Sequence, residues 1–186
     1  MTDHVDVCLQ LLREGRYVAL ATASPDGNPW ASPVHYTLTS DLVFIFISAK
    51  SSRHSANIRH SGRASWTVFW GEKPPPQTDG MIFSGSAREL SGAEAVKYAS
   101  IYYSLRADTR PPHERSPFDV DCLESTDRAF YILTPDEAFK LDKDDAAGVS
   151  RLRVDIPTLV NRGVTQVRHP LFGCALASAA RSHMTM

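Results

Sequence analysis

Apolar positions recur with helical spacing at the start of the chain. Val5, Cys8, Leu9 and Leu12 fall on one face, Thr2 or Asp3 can cap the start, and Gly15 stands where a C-terminal cap belongs. The period then drops to two. In residues 17–23, Val18, Leu20 and Thr22 alternate with Tyr17, Ala19, Ala21 and Ala23, the pattern of a half-buried strand. Ser24-Pro25-Asp26-Gly27 is a turn, because proline presets φ and glycine accepts a positive φ. A second strand is predicted over about residues 30–38. A third, 42–48, is almost continuously apolar, as expected of a strand buried on both faces. Short connections make these three an expected antiparallel meander.

A polar stretch, residues 49–60, follows and has the makings of a short helix around Ala56 and Ile58. Strand four is predicted at 63–70. The prolines Pro74, Pro75 and Pro76 cannot continue a sheet because they supply no amide donors. Strand five spans about 81–89, and Ser91-Gly-Ala-Glu94 is a capping box opening a helix to about Leu105. Residues 106–125 read as a long irregular loop. Strand six covers 128–134, 135–143 is expected to turn back as a short strand, and 151–157 alternates again. The expected fold is mainly β with some α: a small antiparallel, Greek-key-like barrel of six to seven strands flanked by short helices.

Composition narrows the classes. The chain has 186 residues, 42% apolar and 22% charged, and a formal net charge of −1. A folded chain of this size buries roughly 70% of its unfolded surface, enough for a real core. The charge balance predicts neither nucleic acid nor an acidic membrane as partner, and no apolar run approaches a membrane span. The N-terminus carries acids where a signal peptide has bases. Cys8, Cys122 and Cys174 form neither a disulfide framework nor a zinc signature, which fits a reducing cytoplasm. His54 and His60 lack the spacing of a helical zinc site, His113 and His169 stand alone, and no metal is expected. Asp142-Lys-Asp-Asp145 reads as a solvated turn rather than a calcium loop, and no G-x-S-x-G elbow occurs.

The chemistry gathers where the third strand ends. Ser48 is followed by Lys50, Ser51, Ser52, Arg53 and His54, and a helix begins nearby. Helix N-terminal amides point at anions, the arginine fork matches two phosphate oxygens, and hydroxyls add donors. The competing reading is a solvated basic loop.

Three segments together resemble the FMN-binding split barrel of the pyridoxamine 5′-phosphate oxidase-like superfamily. They are residues 18–34 with their Asp-Gly turn, residues 44–59 with Ser52-Arg53-His54, and residues 80–90 followed by a helix. The resemblance implies a split-barrel domain over 1–143, with 144–186 as an extension packing on it. It also implies a homodimer with FMN between two barrels. Arg53 matches the family's phosphate-binding arginine, and His54 takes the place of a following lysine. Ser48 and Ser52 match hydroxyl positions, and Lys50 and Ser51 belong to the same loop. The strand offering Ser32, Val34, His35 and Tyr36 would run along the flavin ring, Val34 or His35 replacing an arginine the family often has. Tyr36 and His35 are the nearest titratable groups.

Trp66, Trp70 and Phe83 are candidates for the flavin's wall; the competing reading is barrel core, where large aromatics usually sit. Tyr103, Ser104 and Arg106 resemble a region that reaches the flavin, or a helix end. The implied activity is hydride or electron-pair transfer through flavin N5 to or from a small molecule. No tryptophan follows Trp70 and only Arg168-His169-Pro170 echoes the substrate motif, so a general oxidoreductase is expected before vitamin B6 oxidation. The alternatives are a deazaflavin-dependent reductase using the same basic loop, a flavin- or haem-binding module without turnover, and a barrel without cofactor.

Overall fold

The computed structural model describes residues 3–71, 74, 78–105, 127–142 and 150–164. Helix α1 (His4–Glu14) is capped by the Asp3 carboxylate, which accepts from the Val5 amide, and buries Cys8, Leu9, Leu11 and Leu12. Strands β1 (Tyr17–Ala23) and β2 (Pro29–His35) form the expected hairpin, with Val18, Leu20 and Thr22 turned inward. The chain then bends at Tyr36, whose ring is fully buried, and runs on as β3 (Thr37–Leu38). Strand β4 (Phe44–Ala49), helix α2 (Arg53–Ser61), β5 (Arg63–Phe69), β6 (Gly80–Glu89) and helix α3 (Gly92–Leu105) follow. Strand β7 (Arg128–Leu141), β8 (Arg151–Arg153) and helix α4 (Ile156–Asn161) complete the described chain.

The strands form one antiparallel, eight-stranded sheet in the order β2-β1-β5-β6-β7-β4-β3, with β8 on β7. The two borders of the sheet, β2 and β3, are consecutive pieces of chain separated by Tyr36 alone. The sheet therefore curls into the split barrel expected from sequence.

Two apolar clusters hold it. Phe44, Phe46, Trp66, Phe83 and Tyr131 meet inside the barrel with the buried face of α1. Val43, Ile45, Phe130 and Ile132 lie outside, under Ala95, Ala99 and Tyr102 of α3. Alternate residues of β4 enter opposite clusters, which is why its sequence is a continuous apolar run.

Four expectations need correction. The meander stops at two strands, because β4 pairs with β3 and β7 and has no ladder with β2 among the described residues. The break at Tyr36 sends the second predicted strand to both sides of the split. Pro135 does not turn the chain: β7 is a single 14-residue strand that absorbs Pro135 and Asp136 in a bulge, where Ser84 pairs Glu137 and Gly85 pairs Pro135. A Cβ on Gly85 would lie 2.1 Å from the Thr134 carbonyl oxygen, so only glycine admits this approach. Residues 151–157 are strand only to Arg153. Asp155 then caps α4 by accepting from the Thr158 amide at 2.9 Å, and Pro157 occupies the first turn, where its missing N–H costs nothing. Finally, Glu94 does not reach back to close a capping box; its carboxylate takes both guanidinium N–H groups of Arg88 at 2.5 Å.

Beyond residue 143, β8 pairs with β7, and Arg162 donates to Asp3 and Asp6 of α1. Residues 151–153 and Arg162 thus contact β7 and the start of α1. The expected loop at 106–125, the acidic turn after Asp142, and Cys122 and Cys174 lie outside the described residues. Among the described residues no helix is long and apolar enough to cross a membrane, and no cluster of metal-ligating side chains occurs.

Candidate functional site

The site is built on the link from β4 to α2. The Lys50 amide donates to the Asp127 carbonyl at 2.8 Å and the Ser52 amide to the Ala49 carbonyl at 3.1 Å, so the turn is pinned to the start of β7. Ser52 is the N-cap of α2, its hydroxyl oxygen accepting from the Ser55 amide at 3.3 Å, and Gly62 ends the helix at φ 64°. Arg59 braces the helix from its other end, donating to Glu89 at 2.7 Å and to the Lys50 carbonyl at 2.8 Å. Tyr131 donates to the same Glu89 carboxylate at 2.8 Å.

The hydroxyls do not serve as the sequence suggested. Ser51 donates to the Asp127 carboxylate at 2.6 Å. Ser52 donates to Ser55 Oγ at 2.8 Å, and Ser55 donates to the Ala49 carbonyl at 2.8 Å. Their protons are therefore committed inside the protein. Arg53, by contrast, is exposed at the first position of α2, with its guanidinium carbon 4.7 Å from the centre of the Trp30 ring. That stacking restrains the fork beside the helix N-terminus. What the link presents to a ligand is cationic rather than hydroxylic.

His54 turns away from the turn and lies buried between two serines. Its Nδ1 is 3.1 Å from Ser32 Oγ and its Nε2 is 2.7 Å from Ser48 Oγ. It thus does not stand in for a phosphate-gripping lysine. Burial opposes its charged form and holds its pKa below the ordinary 6.5. The sign follows: the unfolded chain binds a proton at this residue more readily than the folded one. The stability contributed by neutral His54 is fully present above about pH 6.5 and is lost as pH falls below that value toward the folded pKa. Unfolding should take up a proton across that window, measurable as a melting temperature that declines there. His54→Gln should flatten that decline; an unchanged slope in the variant would show that His54 is not the group.

Ser48 and His54 open onto a groove of about 330 Å³ where the barrel splits. Val34 and His35 of β2 line one side with Pro33, and Ile47 and Ser48 of β4 line the other. Tyr102 of α3 and Arg128 of β7 complete it. The structure therefore gathers Val34, His35, Ser48 and His54 in one place, with Ser32 just behind and the Lys50–Arg53 turn following directly in the chain. Tyr36 is outside the groove. It is fully buried, its hydroxyl donates to the Leu12 carbonyl at 3.4 Å, and burial pushes its pKa upward, so it is core rather than a proton donor to a ligand.

Trp66 and Phe83 are also core, stacked with centroids 5.6 Å apart and turned into the barrel. Trp70 packs partly buried against the same cluster, and Tyr103 against the layer under α3. Ser104 donates to the Ile101 carbonyl at the helix end, and Arg106 lies outside the described residues. Arg128, Tyr102 and Trp30 were not singled out by the sequence reading. Arg128 reaches the groove because it pairs with Ala49, a register that no local pattern displays.

This geometry is that of a split β-barrel with a cationic helix start beside its seam. The family model described as pyridoxamine 5′-phosphate oxidase matches residues 5–137, and the chain belongs to that family. No curated protein matches it.

Solved structures repeat the fold at low identity. A heme binding protein from Mycobacterium smegmatis is 16% identical, with a TM-score of 0.63 over 87% of this chain and 61% of that one. The Agrobacterium tumefaciens protein Atu2129, of unknown function, is 23% identical, with a TM-score of 0.59 over 82% and 60% of the two chains. The chain thus spans about three fifths of the length of these two neighbours. HutZ, the heme storage protein of Vibrio cholerae, is 17% identical, with a TM-score of 0.55 over 72% and 92% of the two chains.

Proposed function

We propose that the protein is an FMN-binding oxidoreductase whose flavin lies along the groove at the barrel split. The observation that carries this reading is Arg53: an exposed arginine at the first position of a nine-residue helix, stacked on Trp30 beside the groove. A phosphoryl group there meets a restrained fork and the positive end of α2. The donor set fits FMN through cations and backbone, with Lys50 nearby. Val34 and His35 offer strand backbone to the ring, while Ser48 and His54 offer neutral polar atoms. When bound, FMN would supply hydride and electron-pair transfer with a small molecule; the protein binds, orients and shields.

A groove of about 330 Å³ is at the low end for a ligand site. A second copy of the chain supplies the missing wall. The outer face of β2-β1-β5 suits it: Pro33, Ala19 and Thr67 align across the strands, as do Ala31, Ala21 and Ser65, all small or flat and none charged. Pro33 belongs both to this face and to the groove. Light scattering should find a dimer; a monomer that still holds FMN would overturn the shared site.

The decisive test is the absorbance spectrum of the protein as purified, with mass analysis of any small molecule it releases. Flavin bands and FMN support the reading. A Soret band favours haem, the second reading, which rests on two haem-named neighbours of the same fold and on His35 in the groove. A deazaflavin would appear by mass. Arg53→Ala should weaken FMN by about 1.5–3 kcal/mol, or about 10- to 150-fold in Kd, the range for a hydrogen bond to a charged group. Unchanged affinity would remove Arg53 from the phosphate site.

A further inference from the structure

We propose that Ser48 is the ligand-reading residue of the groove and that His54 sets its hydrogen-bonding sense, so that the groove takes a heteroaromatic ring whose nitrogen changes between acceptor and donor. This rests on the flavin reading above and adds to it the way this chain accommodates both oxidation states of the ring.

The chemistry lies in the Ser32–His54–Ser48 chain. A neutral imidazole has one N–H and one bare nitrogen, and here each nitrogen faces a hydroxyl, at 3.1 and 2.7 Å. Two arrangements satisfy both ring nitrogens. In the first, Nδ1–H donates to Ser32 and the Ser48 hydroxyl donates to Nε2, leaving Ser48 oxygen lone pairs toward the groove. In the second, Ser32 donates to Nδ1, Nε2–H donates to Ser48, and the Ser48 proton turns outward. Ser52 Oγ, 3.4 Å from Ser48 Oγ, is a weaker acceptor for that proton within the protein. The two arrangements hold the same number of protons and differ in which ring nitrogen carries the N–H and in which way the two hydroxyls point. No charge is created, which suits a buried site where a charge is costly.

A fixed donor or acceptor would fit one state of a redox-active ring and leave an unpaired polar atom against the other. Ser48 escapes this. It donates to a bare ring nitrogen in the oxidised ring and accepts from the N–H of the reduced ring, with His54 taking up the complementary tautomer. Ser32 lies behind His54, does not line the groove, and acts as a positioning residue through the imidazole. Burial of the ring, at the start of α2, opposes an imidazolium and so favours the neutral pair of tautomers.

The test is nitrogen-15 NMR of histidine-labelled protein loaded with FMN, before and after reduction by dithionite. The His54 signals are assigned by their loss in His54→Gln. The expected result is exchange of the bare-nitrogen and N–H signatures between Nδ1 and Nε2 on reduction. Ser48→Ala should abolish the exchange and weaken the affinity for both oxidation states by about 3- to 10-fold each, the worth of one neutral hydrogen bond. Ser32→Ala should bias the tautomer in both states while leaving FMN bound. FMN bound with the same His54 tautomer in both states overturns the relay and leaves the flavin reading intact. Protein that binds no FMN overturns both.

Discussion

Asp79→Ala should destabilise the protein by about 3–5 kcal/mol, the cost of leaving one member of a buried ion pair alone. Asp79 and Lys140 are only 3% and 6% exposed at their side chains, with Nζ and Oδ2 2.9 Å apart. The remaining polar atoms are also engaged: the Gly80 amide donates to Asp79 Oδ1 at 2.8 Å, and Lys140 Nζ donates to the Leu141 carbonyl at 3.0 Å. The pair lies where the chain enters β6, next to the register of Met81 with Lys140. Removing the carboxylate strands an ammonium among Cys8, Met81 and their neighbours, where water cannot reach it. Denaturant unfolding measures the loss. The paired replacement Asp79→Leu with Lys140→Met should recover most of it, because the expense of the single change is the orphaned charge. A loss under about 1 kcal/mol for the single variant would mean that the pair is solvated after all.

The second large effect concerns Trp66. Trp66→Ala should cost about 3–5 kcal/mol, as for truncation of a large buried aromatic. The ring is 1% exposed, stacks on Phe83 and meets Phe44 edge-on at 5.4 Å. Its indole nitrogen has no hydrogen-bond partner among the described residues, so a hydrocarbon replacement gives up no such bond. Trp66→Phe should therefore keep the fold with a smaller loss, and its Kd for FMN should match that of the parent. This separates core from wall: a Trp66→Phe variant with undiminished stability but weakened FMN binding would return the residue to the cofactor site.

How much of this was visible in the residues depends on the range of the interaction. Strand β1 was readable to its ends because its alternation is local and its turn residues fix the exit. A short helix around Ala56 and Ile58 was readable, but its caps, Ser52 and Gly62, emerged only with the structure. The bulge at Gly85 was not, since proline ordinarily signals a break, and its accommodation depends on a glycine about 50 positions earlier. The split of the second strand at Tyr36 was hidden likewise: a buried tyrosine between Val34 and Leu38 breaks no period of two. At the site, residue types were legible but hydrogen-bond direction was not. Ser51 and Ser52 looked like donors to a phosphate, yet Asp127 and Ser55 take their protons. His54 looked like a surface cation and is a buried neutral bridge. Arg128 joined the groove through strand pairing alone.

The sheet's two borders come from one uninterrupted stretch of chain, and the groove lies across the seam they leave between β2 and β4. Whatever fills that groove therefore works as mortar as well as cargo. Amide protons of residues 29–38 and 44–49 should slow their exchange with solvent on loading, before any change is felt at the far side of the cylinder.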